Sequence, residues 1–420
     1  MSGRMLGAAV ALIVALAAGV APVAAQSDPA GSGLVRPPVL VTGDSLSHQA
    51  ADDIARSLGA LGYHDVRFAV FGGTTIGWST ERVLEDASPI VVFASGTYNS
   101  LLGWTAADQQ EAQRAVQVLG QRRCAVWMLP AAARYPSGTP QAHAPSRDTV
   151  AGIRAAASGT PVHLAEWDLV ADALPEIHVP VGVHIDDGGQ ALYGDLIAGA
   201  VRHRCEDPDP ARVAPWERYA SWTTTTLLGR LPAADELAVW TDRLAGGHPR
   251  LAFTRTLVTT PEWAGARIDD LYLRALGRTA DPAGRTHWLQ RLVAGTGFDV
   301  VAAHVYSSEE FVRGSGASSR DFVTALYRRL LQREPDGPGL DAWTRALEAG
   351  TSPMAVAVAF HRSPEARGGR VEELYRQILG RDPDPGGRAT WIGALARMDD
   401  LRLAARLAAS GEAFRRAQDG

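Results

Sequence analysis

"VLVTGDSLSHQ", residues 39–49, decides how the first half of the chain is read. Val39 to Thr42 are the apolar, largely β-branched run of a buried strand, and Gly43, Asp44 and Ser45 follow it directly. A serine carried off the end of a buried strand, with glycine close before it, suits a hydrolytic nucleophile.

Working outward, runs of strand length recur at Val66–Phe71, Pro89–Ala94, Cys124–Leu129 and Pro161–Ala165. Helical periods lie between them, such as Ala50, Ile54, Leu58 and Leu61, closed by Gly62. Thr105 and Asp108 have capping-box spacing before a helix that carries Ala112, Val116 and Leu119 on one face. A last helix aligns Leu192, Leu196 and Ala200. Uninterrupted apolar strands alternating with helices predict a parallel sheet covered on both faces, a three-layer α/β/α domain. The chemistry of such sheets sits beyond the carboxyl ends of the strands. Ser45, Gly73, Asn99 and His184 are all expected on that rim.

Cys124 and Cys205 are the only cysteines. An even count in an exported chain permits a disulfide, although two unpaired core thiols fit the count equally. The fold reading favours the bridge. Cys124 opens a strand and Cys205 ends the final helix, which right-handed winding brings to the opposite, amino-terminal rim.

Residues 1–25 have the form of a secretory signal: Arg4, an apolar run from Met5 to Val20, then Val23-Ala24-Ala25. The run is short and rich in alanine and glycine for a spanning helix, a retained anchor being the other reading of the same segment. The rest is expected to be exported, with no membrane span after cleavage. The 420 residues carry a net charge of −5 with no basic cluster, which argues against a nucleic-acid partner. No mononucleotide loop, zinc-ligand spacing or redox motif is present, and no cofactor or metal is implied; isolated histidines such as His143 and His163 read as ordinary surface or core residues.

After a Pro- and Asp-rich linker at 206–215 the texture becomes helical throughout and repeats. "LLGRLPAADELAVW", "ALGRTADPAGRTHW", "LLQREPDGPGLDAW" and "ILGRDPDPGGRATW" place Trp240, Trp288, Trp343 and Trp391 48, 55 and 48 residues apart. A second phrase follows each: "TTPEW", "SSEEF", "RSPEA", "SGEAF". Four helical repeats are expected over 216–420, at about 216–263, 264–312, 320–366 and 368–414. Asp281-Pro282 and Asp384-Pro385 read as helix starts, and Ser308 and Ser363 as caps of the next helix. Calcium is the functional alternative for the aspartates, but the loops lack the dense run of oxygen ligands that it needs.

Over residues 39–205 the chain resembles the SGNH (GDSL) hydrolase family. "GDSLS" matches the first family block and "FGGTTIGW" the second. The resemblance implies a flavodoxin-like sheet domain over 26–205, Ser45 as nucleophile, and Ser45, Gly73 and Asn99 as oxyanion donors, the first two through backbone N–H groups. The third block, Gly-x-Asn-Asp, here reads Gly96-Thr97-Tyr98-Asn99, so Asn99 falls one residue late and Tyr98 stands in its place. The fourth, Asp-x-x-His, reads Val181-Gly182-Val183-His184: the base survives and its acid does not. The helical half resembles a bacterial repeat of unassigned function, found in exported and surface-layer proteins and marked by "LYRxxLGRxPDxxGxxxW". Tyr272, Tyr327 and Tyr375 match its tyrosine.

A valine cannot accept the imidazole N–H that the acid would hold, and in the serine-protease triad neutralising that acid lowers turnover about ten-thousandfold. Losing one oxyanion donor costs about a further hundred- to thousandfold. Asp186, Asp187 and Asp168 are the candidate replacements, each with an ordinary role as a helix-capping residue; a backbone carbonyl is a further orienting group. Two readings follow. One is an exported ester hydrolase, weakened or rebuilt, for acyl groups of envelope or extracellular glycans. The other is an inactive SGNH-fold binding protein whose helical repeats serve attachment or assembly with an envelope or protein partner.

Overall fold

The structure is a computed structural model that describes residues 36–131, 144–179 and 184–419. The expected signal segment, His143 and Val181 lie outside these residues. The chain divides into two compact units, Met1–Glu217 with Ala234–Ala252, and Arg218–Ala233 with Phe253–Gly420.

In the first unit the five apolar runs form β1 (Val39–Gly43), β2 (Val66–Val70), β3 (Ile90–Ala94), β4 (Cys124–Met128) and β5 (Val162–Ala165). All neighbours pair in parallel, in the order β2-β1-β3-β4-β5. Alternate strand residues supply two separate cores. Val39, Val41, Val92 and Val126 face α1 (Ser45–Gln49), α2 (Ala51–Ala60), α7 (Trp167–Ala173) and α8 (Asp187–Cys205), with Ile54, Leu58, Trp167 and Ile197 among the buried partners. Leu40, Val91, Phe93 and Trp127 face α3 (Ile76–Glu85), α5 (Ala106–Leu119) and α6 (Ala144–Ala157), through Val83, Val116 and Ile153. A further helix, α4, spans Thr97–Leu102. The expected three layers are therefore present. The strand order reverses between β1 and β3, so the crevice of this sheet opens where β1 delivers Ser45.

Cys124 and Cys205 are joined by a disulfide, at the first residue of β4 and the last of α8. It lies at the amino-terminal rim, opposite Ser45.

The boundary at 206–215 is corrected by the structure. A helix runs from Pro210 to Leu228, started by Asp209, whose carboxylate accepts from Ala211 N at 3.0 Å. This is the same Asp-Pro start that opens the helices at Pro282 and Pro385. Glu206 pairs with Arg36 and Arg212 at 2.7 Å each, which holds the segment to the sheet domain. The first of the four expected repeats is divided as well. Its helix Ala234–Ala245 belongs to the first unit: Asp242 accepts from His203 at 3.0 Å and pairs with Arg204, Arg243 pairs with Glu166, and Gly247 closes on Gly199 so tightly that a Cβ on Gly199 would lie 2.4 Å from Gly247 Cα.

Within the second unit every described element is helical, and the same contact recurs at corresponding positions. Arg230 meets Glu262, Arg278 meets Glu310, Arg333 meets Glu365 and Arg381 meets Glu412, at 2.8, 2.7, 2.5 and 2.7 Å from Nε to Oε1. These pairs are partly exposed, so each stabilises by less than about 1 kcal/mol and acts mainly on geometry. Trp288 and Trp391 donate their indole N–H to the hydroxyls of Tyr272 and Tyr375, at 3.0 and 2.9 Å. Asp281, Asp336 and Asp384 accept from the backbone of Gly284, Gly339 and Gly387 at 2.8–2.9 Å. The carboxylates of the repeated phrase thus serve as N-caps.

Candidate active site

Gly43 is required where β1 meets β3. A Cβ there would lie 2.3 Å from the Ala94 carbonyl oxygen, while Asp44 N donates to that same oxygen at 3.2 Å. Asp44 is buried and fastens two helix starts to the strand end. Its Oδ1 accepts from Leu46 N at 3.2 Å and its Oδ2 from Thr97 N at 3.1 Å. Ser45 is thereby presented as the first residue of α1, on the carboxyl rim of the sheet.

The turn after β2 comes up beside it. Thr74 Oγ1 donates to the carbonyls of Gly43 and Phe71, at 3.2 Å each, and Phe71 N donates to Gly43 O at 3.1 Å. A Cβ on Gly72 would lie 3.8 Å from Ser45 Cβ, and one on Gly73 would lie 3.9 Å from Cε2 of Tyr98. Gly73 has φ +75°, a conformation that favours glycine. The structure therefore brings Ser45, Gly72, Gly73 and the Tyr98 ring together, with the 66 % exposed Phe71 at the edge.

Asn99 is buried on the same rim, and its carboxamide is engaged. Oδ1 accepts from Ile76 N at 3.2 Å, and Nδ2 donates to Asp108, the acid of the capping box that starts α5. One amide hydrogen remains for other work.

His184 is exposed, just before α8, and it favours the ionised form of Asp44 electrostatically. Its segment is anchored to the serine helix. Gln49, the last residue of α1, brackets the Ile185 backbone, donating from Nε2 to Ile185 O at 2.8 Å and accepting from Ile185 N at 3.4 Å. The segment also makes an antiparallel bridge from Ile185 to His178. Neither Gln49 nor Asp44 stood out as a positioning group in the sequence, because their partners lie 136 and 53 residues away.

Two of the three replacement acids have other partners among the described residues. Asp186 is the N-cap of α8 and accepts from Gly189 N at 2.8 Å. Asp187 is exposed in the first turn of that helix. Asp168 lies in the first turn of α7, three residues beyond the end of β5, and faces Arg154 at 3.4 Å. Burial raises the Asp168 carboxyl, against the pull of Arg154. No hydrogen bond among the described residues joins any of the three to His184.

Burial also pushes the Asp44 carboxyl up to about 6, against Thr97, Leu46 and His184, which all favour the anion. The fold then retains a proton that the unfolded chain has released between about pH 3.9 and 6. Stability carried by this group falls as pH rises through that window, by about 3 kcal/mol in all. The stability difference between the parent and Asp44→Asn should shift against the parent by that order between pH 4 and pH 6, and stay level above. Urea midpoints of both proteins across this range measure it; a difference that does not change with pH contradicts the assignment.

Among family models, a domain of unknown function (DUF4214) matches residues 302–369. No curated protein matches the chain. Among the solved structures similar to part of it are the following three. The C-terminal catalytic domain of peptidoglycan O-acetyltransferase A from Streptococcus pneumoniae is 21 % identical, with 42 % of this chain and 98 % of that one covered and a TM-score of 0.35. A member of the lipolytic G-D-S-L family from Veillonella parvula is 15 % identical, over 38 % of this chain and 96 % of that one, with a TM-score of 0.31. The lipase/acylhydrolase from Enterococcus faecalis is 18 % identical, over 41 % and 99 %, with a TM-score of 0.35.

Proposed function

We propose that the first unit is a weakened GDSL-type carboxylic ester hydrolase, an esterase or deacetylase, that works outside the cytoplasm on acyl groups of envelope or extracellular glycans. The observation that carries this reading is the presentation of Ser45 at the β1/β3 crevice, with Gly72, Gly73 and the Tyr98 ring beside it. In this reading His184 takes the Ser45 proton as the hydroxyl attacks the ester carbonyl, and returns it to the leaving alcohol. The N–H groups of Ser45 and Gly73 face the developing oxyanion. Water then repeats the attack on the acyl-serine. Asn99, held by Ile76 and Asp108, contributes at most its remaining amide hydrogen.

The signal-like residues 1–25 support export. The recurring Arg–Glu contacts support reading the second unit as helical repeats that serve attachment or assembly. The engagement of Asn99, together with valine at 181, favours the second reading, an inactive SGNH-fold binder of the same acylated ligands. Hydrolysis of p-nitrophenyl acetate and of an O-acetylated glycan separates the two. Slow release of acetate that disappears in Ser45→Ala is expected; equal rates in parent and Ser45→Ala favour the binder.

A further inference from the structure

The second unit holds a cavity of about 60 Å³ between the helices Pro261–Leu276, Phe298–Tyr306, Ser319–Leu330, Pro353–His361, Pro364–Leu379 and Asp400–Ala408. A water needs about 10–15 Å³ by this measure, so a group of four or five heavy atoms fits. Four guanidinium groups line it, those of Arg267, Arg274, Arg329 and Arg370, against three carboxylates. The carboxylates are already engaged. Glu373 receives Arg267 at 2.9 Å and Arg274 at 2.7 Å, Asp270 receives Arg274 at 2.6 Å, and Asp400 receives Arg370 at 2.9 Å. Arg329 has no ion pair among the described residues, which leaves one positive charge in excess.

Two polar groups on the same lining have open hydrogen-bonding capacity among the described residues, the Tyr306 hydroxyl and the buried Nδ1 of His361. Tyr306 is 3 % exposed, and its hydroxyl makes no hydrogen bond among the described residues. His361 is 5 % exposed and its Nδ1 is buried without a partner. Burial, assisted by Arg370, pushes the His361 ring down to about 3, so it is neutral at pH 7 and keeps one donor and one acceptor. Unpaired buried polar groups are rare in native folds and mark places where a ligand, ion or water completes the bonding.

We propose that this cavity binds a singly charged oxyanion of carboxylate size, with Arg329 as its charged anchor. A guanidinium presents paired N–H groups that match a carboxylate, and the phenol of Tyr306 adds a third donor. The same chemistry is offered by a free small acid and by the acidic sugar of an envelope glycan.

Isothermal titration of the full chain at constant ionic strength and pH 7, with sodium acetate and sodium glucuronate as probes and chloride as background, tests the site. Saturable binding of either probe is expected, with at least tenfold weaker binding in Arg329→Gln, an exposed position whose replacement leaves the core intact, and a smaller loss in Tyr306→Phe. Polygalacturonate distinguishes the sources: tighter binding per site than free glucuronate assigns a glycan, and no binding of the polymer assigns a free acid. Heats that match the chloride background, or binding unchanged in both variants, overturn the proposal.

Discussion

Replacing Cys124 and Cys205 together by alanine should lower the stability of the sheet domain by about 4.5 kcal/mol. The bridge closes a loop of 81 residues, from the first residue of β4 to the last of α8. Its effect falls mainly on the unfolded chain, whose ends it keeps together, and that entropy grows with the logarithm of the loop. Alanine is chosen because both sites are buried, at 6 % and 8 % exposure, where a serine hydroxyl would add its own desolvation cost. For a domain of this size, 4.5 kcal/mol corresponds to about 10–18 °C in melting temperature. A double variant melting within about 2 °C of the parent would show that the start of β4 and the end of α8 are held by packing alone.

The second large effect concerns position 181. Val181→Asp should raise p-nitrophenyl acetate turnover at least tenfold, which needs only about 1.4 kcal/mol of transition-state stabilisation. The residue stands three before His184, where the family pattern has the acid that fixes the imidazole tautomer. In the serine-protease triad that acid is worth about ten-thousandfold, so a tenfold gain leaves room for imperfect geometry. Adding Ser45→Ala to the aspartate variant should abolish the gain. A parent that is already fast, dependent on Ser45 and indifferent to Val181→Asp would mean that another group orients His184, and Asp186, Asp187 and Asp168 then become the residues to replace. If parent and variant both match Ser45→Ala, the oxyanion side has failed too, with Tyr98 beside Gly73 the first suspect.

Much of the sheet domain is legible along the chain because its signals are local. The apolar runs locate the five strands to within a residue or two, and strand-helix alternation dictates parallel pairing. The cysteine pairing follows from that topology. What escaped depends on contacts between distant positions. The helix Ala234–Ala245 carries the repeated tryptophan phrase, yet Asp242 and Arg243 find partners at 203, 204 and 166 in the sheet domain. Periodicity records the phrase and not the surface it meets. Asp209-Pro210 carried a readable start signal that the surrounding prolines and aspartates obscured.

The site divides in the same way. Ser45 and Gly73 are visible as sequence blocks, but the Gln49 clamp on Ile185 joins residues 136 apart and depends on side-chain direction at the end of a five-residue helix. The engagement of Asn99 by Asp108 likewise depends on where the capping box of α5 is placed, and not on the block itself.

The central claim is that Ser45 is an activated nucleophile, and labelling with a fluorophosphonate tests it most directly. The probe phosphonylates a serine whose hydroxyl is activated, with fluoride leaving, whatever ester the protein naturally meets. Incubation of the full chain at neutral pH, followed by peptide mapping, should place a single adduct on Ser45, slower to form in His184→Ala and faster in Val181→Asp. Absence of any adduct on Ser45 in both the parent and Val181→Asp would contradict the account.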